Sequence, residues 1–556
     1  MKALLLSSLS KVFKNTEPNE SEFTSFSALS NENFSFQVAV LPENESETKI
    51  NVELISSIKD DITIYEVKNI PAGTTQYEDS DDFHYPEGIK EFPELLMPAS
   101  GDFSLTENEW TSLWFEYKPT KNIVGKQSIT VKILQGDSVI EKCFELNIID
   151  AQLPKQDFFF TNWFHNDCLC TYYNVEPCSE EYWAIADRFI KNAREHGVNM
   201  LMTPVFTPPL DTAVGGERPT FQLVGVKKQG DSYTFDFTNF RKYVEICLKN
   251  GIEAFEISHF FTQWGAEHAP KIMADVDGTE TRIFGWETEA AGEEYTNFLA
   301  QFSVALRKEA EDLGIKDRCW VHVSDEPNEK QIEQYTKAAD IVKKYFGDFN
   351  SLDALSDIEY FKNGLIKTPV CAESEADIFR AEVKDFWTYY CCAQTNKYLP
   401  NRMFAQPSAR NRVLGVLLYK YDTKGFLHWG HNFWHAQYST HSIDPYTVTD
   451  AGGGFPSGDS FVVYPGEGGV PLNSLRHLVF ADAFQDVRAL KLLESLTSRD
   501  YVLKLIEKDL DIPLSFSTYP HEKGWLLNLR KEINNKIQEN LDETIRYGSV
   551  IDPKNN

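Results

Sequence analysis

The sequence is short of positive charge, of cysteine and of long apolar runs, and each shortage narrows what the chain can be. Against 84 Asp+Glu there are only 54 Lys+Arg, a formal charge of −30. That balance opposes binding to nucleic-acid phosphates and to anionic membranes and leaves neutral partners. No segment approaches the ~18 to 20 uninterrupted apolar residues of a membrane helix, so no membrane span is expected. The opening "MKALLLSSLSKVFKN" has an apolar part that is short and broken by serines, with no small-residue cleavage site after it, so it does not read as a secretory signal. The nine cysteines then read as reduced thiols of a cytoplasmic chain. His165, Cys168 and Cys170 cluster in "FHNDCLC", yet no second Cys/His pair stands at finger or ribbon spacing. No metal and no other cofactor is expected.

What is present is a large apolar complement, 42% of 556 residues, enough for two or three domains. Aromatics reach 13%, a content that suits sugar stacking as well as a large core. Up to residue 154 the segments "FSFQVAV", "KINVELI", "DITIYEV", "SLWFEY", "SITVKIL" and "CFELNII" mostly alternate apolar and polar residues between turn-forming clusters. This pattern predicts an N-terminal antiparallel β-sandwich over residues 1–154. After "DAQLPKQ" a different unit recurs: a helix, a glycine and a buried strand, as in "EEYWAIADRFIKNAREHG" then "VNMLMTP", and "FRKYVEICLKNG" then "IEAFEIS". "YTNFLAQFSVALRKEAEDLG" then "RCWVHVS" repeats it, with Phe298, Leu299, Phe302, Leu306 and Leu313 on one helical face, and "NRVLGVLLYKYDTKG" then "FLHWG" is read the same way. Without a glycine-rich nucleotide loop, the repetition favours an α/β fold of the (β/α)8 barrel type over residues 155–475, a doubly wound sheet being the alternative. Residues 476–556 read as a C-terminal helical segment packed on the barrel.

A barrel's active site lies at the C-terminal ends of its strands. One such end is "CWVHVSDEPNEKQ", in which Asp325 and Glu326 stand side by side before Pro327. The proline is expected to hold Glu326 extended. The structural explanation is that the two acids cap the following helix. The functional explanation is glycoside hydrolysis, where one carboxylic acid protonates the leaving oxygen and a second group attends the anomeric carbon. Sequence neighbours rarely open around a sugar as acid and nucleophile. They do suit the substrate-assisted scheme, in which a 2-acetamido oxygen attacks, one carboxylate holds the acetamido N–H and the other is the acid.

"VHVSDEP", "DFWTYYCC", "GFLHWGHNFW", "GDSFVVYPG" and "SLRHLVFADAFQDVRAL", in that order, resemble the catalytic region of glycoside hydrolase family 123. The stretch "ALSNENFSFQVAV" is similar to the opening of that family's sandwich, where Asn31, Glu32 and Gln37 are structural. The resemblance covers nearly the whole chain. It implies a retaining exo-β-N-acetylgalactosaminidase with Asp325 steadying the acetamido group and Glu326 as general acid/base. Trp163, His165, His259, Tyr389, Trp429, Asn432, Trp434 and Arg476 are candidate sugar contacts, aromatic faces for C–H groups and polar side chains for hydroxyls. Each also has a structural reading: Trp429 and Trp434 as barrel packing, His165 and His259 as strand-end caps, Arg476 paired with Asp482 or Asp486. Cys391 and Cys392 read as packed thiols, and "AGGGFPSGD" as a flexible loop or a lid. Lacking an export signal, the chain is expected to take a small oligosaccharide or glycoside. Three alternatives stand beside this reading: a hydrolase of a sugar without an acetamido group, its nucleophile Glu256 or Glu373; a glycan-binding protein; and a metal-dependent hydrolase using His165 and His259. The sequence marks no oligomeric interface.

Overall fold

The computed structural model describes residues 1–42 and 47–548. The chain divides into two compact units, one made of residues 1–157, 396–422 and 472–556, the other of 158–395 and 423–471. The boundaries read from sequence follow chain order, whereas these units join segments far apart in sequence. The C-terminal helices, anticipated on the barrel, fall in the same unit as the N-terminal strands. Leu527 packs against the sandwich core, and Arg530 donates to both Glu32 (2.6 Å) and Asp486 (2.7 Å). A buried guanidinium needs such partners, and only a segment returning to the sandwich supplies them.

The first unit holds two five-stranded sheets. One runs Lys2–Ser7, Phe34–Leu41, Thr111–Tyr117, Ile62–Pro71, Glu91–Pro98 and is antiparallel throughout. The other runs Ser25–Leu29, Ser138–Ile149, Gly125–Gln135, Glu47–Ile55, Asp102–Thr106; its first pair, Ser25–Leu29 on Glu145–Ile149, is parallel. Gly125–Gln135 and Asp102–Thr106 alternate buried and exposed residues, whereas Phe34–Leu41 and Thr111–Tyr117 are buried on both faces, and the rings of Phe36, Phe115 and Phe144 stack at 5.0 and 4.7 Å between centroids. Asn31, Glu32 and Gln37 act structurally: Asn31 donates to Leu153 O, Glu32 accepts from Leu29 N, and Gln37 donates to Ser7 O and Ser10 O.

The second unit contains a closed barrel of eight parallel strands: β1 (Phe159–Asn162), β2 (Met200–Thr203), β3 (Ala254–Ile257), β4 (Cys319–Val321), β5 (Asn350–Ala354), β6 (Thr368–Ala372), β7 (Trp387–Tyr389) and β8 (Gly425–His428). β8 pairs with β1 and closes the ring. Three of the anticipated helix–glycine–strand units appear as read, with Gly197, Gly251 and Gly314 at φ of 97°, 84° and 65° after helices Glu180–Glu195, Thr238–Lys249 and Glu293–Asp312. A left-handed residue ends a helix at little cost when it is glycine. The fourth unit differs. Its helix ends at Tyr421 with Asp422 left-handed (φ 53°), and Gly425 lies inside β8, where a Cβ would fall 2.3 Å from the Trp387 ring. A four-stranded sheet, in the order Ser232–Asp236, Gly225–Gln229, Ile272–Val276, Thr279–Phe284, was not read from the sequence. Its strands are largely polar, and its visible signal was the Asp277–Gly278 turn, both residues at positive φ.

Candidate active site

The segment after β4 carries the acid pair, and neighbouring strands hold it by its backbone. Asp353, at the end of β5, accepts from Val323 N at 3.1 and 3.2 Å. Ser324 Oγ donates to Thr262 O (2.7 Å), Trp264 N to Asp325 O (3.0 Å) and Glu326 N to Ala354 O (3.0 Å). So clamped, Glu326 is left-handed, φ 44°, rather than extended as anticipated from Pro327. The difference matters chemically. In an extended strand adjacent side chains point to opposite faces, whereas here Asp325 and Glu326 line the same cavity. Neither acid caps the next helix; Asn328 does so, in a capping box with Gln331.

The cavity has a volume of about 150 Å³, well below the several hundred Å³ of a typical drug-sized site, and suits one sugar ring. Its walls are largely aromatic: Trp163, Trp264, Tyr389, Tyr390, Trp429 and Phe455. Gln263 Nε2 donates to Asp325 Oδ2 (2.7 Å), and the Tyr389 hydroxyl donates to Glu326 Oε1 (2.7 Å). Burial and then the neighbouring Glu326 charge push the Asp325 carboxyl well above its ordinary range. Burial also raises Glu326, against the pull of the Tyr389 hydrogen bond. Two buried carboxyls in one cavity resist ionising together, so the pair retains a proton. The third acid on the wall is Asp211, raised by burial to about 6.

Beneath the cavity lies a buried polar network. Trp163 Nε1 donates to Glu256 Oε1 (2.7 Å), His322 bridges Glu256 (2.7 Å) and Asp353 (3.0 Å), and the Tyr335 hydroxyl donates to Asp353. Burial alone would lower His322, but Asp353 and Glu256 raise it to about 9, making it an imidazolium between two carboxylates. Glu256 is thereby engaged below the cavity, and neither it nor Glu373 is on the wall. Both positions offered as alternative nucleophiles are therefore away from the site.

The anticipated sugar contacts separate into two groups. Trp163, Tyr389 and Trp429 line the cavity. The others do not. His165 accepts from Arg218 (2.7 Å) and bonds Trp429 O (2.8 Å), and burial followed by the Arg218 charge lowers its pKa to about 3. Asn432 clamps the His165 backbone from both sides, 2.8 and 3.0 Å. These two position Trp429. His259 stacks on His322 at 4.0 Å, edge-on to Trp163, and is buried. Trp434 packs against Tyr172 and Phe189, its indole N–H on Val463 O. Arg476 belongs to the other compact unit and pairs with Glu94 (2.6 Å) rather than Asp482 or Asp486. Asp211, Gln263 and Trp264 were missed. "TQWG" was visible as a strand end, but nothing local distinguishes these side chains from loop residues.

Among the described residues, two buried clusters bring potential metal ligands within 4.8 Å of one another: Asp167, Cys168 and His435, and His259, His322 and Asp353. In both, the carboxylate is already paired, Asp167 with Arg218 (2.7 Å) and His435 (3.0 Å), Asp353 with His322. A cation would have to displace these partners.

Comparison with known proteins converges on one family. The profile of the glycoside hydrolase 123 catalytic domain matches residues 163–493, more than half of the chain. Among solved structures, a family 123 glycoside hydrolase from Clostridium perfringens, studied for glycolipid glycan hydrolysis, superposes with a TM-score of 0.74 at 15% identity, covering 98% of this chain and 99% of that one. A putative beta-galactosidase from Bacteroides fragilis is matched at a TM-score of 0.31 and 9% identity, over 78% of this chain and 57% of the other. A search of curated proteins found no match. No helix among the described residues is long and apolar enough to cross a membrane.

Proposed function

The chain belongs to glycoside hydrolase family 123, and from that premise we propose that it removes a terminal β-linked 2-acetamido sugar, N-acetylgalactosamine first among candidates, from a small neutral oligosaccharide by substrate-assisted, retaining catalysis. The observation that carries this reading is the left-handed turn at Glu326, which aims two adjacent carboxyls into a cavity sized for one ring. Glu326 gives its proton to the glycosidic oxygen as the C–O bond breaks, while the acetamido carbonyl oxygen bonds to the anomeric carbon. Burial and the Glu326 charge keep the pair's proton on Asp325 in the free protein; once the acetamido N–H lies against Asp325 that proton sits on Glu326, and Asp325, then ionised, accepts the N–H and stabilises the charge of the cyclic intermediate. Glu326, now a carboxylate, takes a proton from water, whose oxygen attacks the anomeric carbon and reopens the ring with retained configuration. Trp163, Tyr389 and Trp429 surround the sugar. The net charge of −30 suits a neutral glycan.

A second reading follows from one observation, the presence of Asp211 on the same wall. With a sugar lacking the acetamido group, Asp211 would serve as the second carboxylate. The deciding experiment compares nitrophenol release from the β-linked 2-acetamido galactoside and from the plain galactoside. Turnover of the first alone, with a loss on the order of 10²–10⁴ in Asp325→Asn and little in Asp211→Asn, supports substrate assistance. Comparable turnover of both, abolished by Asp211→Asn, would establish the second reading instead.

A further inference from the structure

Two aromatic rings at the rim of the cavity take no part in the steps above. Trp264 is 38% exposed and Tyr438 41% exposed. They meet edge to face, centroids 6.2 Å apart and planes at 87°. Trp264 also lines the cavity beside Asp325 and Glu326, so the exposed surface is continuous with the reacting centre. Both rings stand on backbone that side-chain-bearing residues adopt only at a cost: φ is 56°, 127° and 55° at Trp264, Gly265 and Ala266, and 61° and 55° at Tyr438 and Ser439.

The surrounding structure enforces these turns. Trp264 N donates to Asp325 O (3.0 Å), and Gln331 donates to Trp264 O. Position 265, at φ 127°, takes a conformation open to glycine and strained for any other residue. On the other side, Tyr438 N donates to Asp211 Oδ2 (2.9 Å) and Ser439 Oγ to Asp211 O (2.8 Å). Two strained turns, each tied to a cavity-wall carboxyl residue, hold an indole and a phenol out in solvent and next to each other. A cavity of about 150 Å³ has no room for a second ring, so whatever ring is joined to the cleaved sugar must lie at the rim.

The geometry points to a leaving-group subsite in which Trp264 and Tyr438 form a corner that takes the pyranose ring on the reducing side of the scissile bond. Its C–H face lies on the indole and its edge against the phenol. The subsite rests on the glycosidase reading of the cavity and deepens it, making the substrate an oligosaccharide rather than a glycoside with a small or alkyl aglycone.

The test compares kcat/KM for three glycosides of the same 2-acetamido sugar, the methyl, the octyl and a disaccharide. The variants are Trp264→Asn and Tyr438→Asn, because asparagine tolerates left-handed backbone; unchanged thermal melts confirm folding. Trp264→Asn should cost roughly tenfold more on the disaccharide than on the methyl glycoside, and Tyr438→Asn roughly threefold more. Equal losses on all three would mean that Trp264 acts only by positioning Asp325, and losses confined to the octyl glycoside would mean an apolar aglycone site; either overturns the inference, as does no loss. A wild type that cuts none of the three would refute the 2-acetamido-sugar reading on which the subsite rests. Fluorescence titration of Glu326→Gln with the disaccharide then judges the subsite alone: quenching abolished by Trp264→Asn upholds it, and quenching that persists overturns it.

Discussion

Removing the Tyr389 hydroxyl tests the acid assignment most directly. Tyr389→Phe keeps the buried ring and deletes two hydrogen bonds, the 2.7 Å donation to Glu326 Oε1 and a longer one with Ser356 Oγ at 3.4 Å. A hydrogen bond to a charged acceptor contributes about 1.5–3 kcal/mol and one to a neutral group about 1 kcal/mol. The difference, about 1 kcal/mol or somewhat more, favours ionised Glu326 and corresponds to roughly one pKa unit. Its loss therefore raises Glu326 further, in the same direction as burial. A general acid works only while protonated, so the alkaline limb of kcat/KM should move up by about one pH unit, with the acid limb, which requires ionised Asp325, moving less. The assay should follow sugar release from a disaccharide, because an activated nitrophenyl leaving group departs without much help from an acid. A limb that stays in place, or a shift confined to the acid side, would refute the assignment of Glu326 as the proton donor.

Other consequences concern stability. Gly425→Ala puts a methyl 2.3 Å from the Trp387 ring, and the overpacking should cost about 1–3 kcal/mol in urea denaturation. Arg530→Ala leaves Glu32 and Asp486 without their shared partner; removing one member of such a buried set should cost about 3–5 kcal/mol, whereas a loss under 1 kcal/mol would contradict the network. His322, raised to about 9 from 6.5, contributes stability that is complete below pH 6.5 and fades as pH climbs to about 9. The contribution is about 3 kcal/mol; His435, raised from 6.5 to about 10, adds a loss of its own, so melting temperature should fall across that window in the wild type and less steeply in His322→Gln.

The sequence by itself determined the classes of structure and singled out the acid pair. Alternating strands, helical faces such as Phe298, Leu299, Phe302 and Leu306, and glycines after helices are local consequences of backbone geometry, and they led to a sandwich and a barrel. Asp325 and Glu326 were visible because adjacent carboxylates beside a buried strand are costly without a role. Tertiary structure decided the rest, because the deciding contacts lie far apart along the chain. Gly425 was read as a helix stop and proved to be the space that the Trp387 ring occupies. Arg476 was read as a sugar contact and is held by Glu94. His165 and Asn432 support Trp429 from behind, while Asp211, Gln263 and Trp264 reach the cavity from loops whose sequence carries no period. Even the conformation of Glu326 was nonlocal: Pro327 argued for an extended residue, and hydrogen bonds from neighbouring strands and loops turned it left-handed, which is what lets both acids face one cavity.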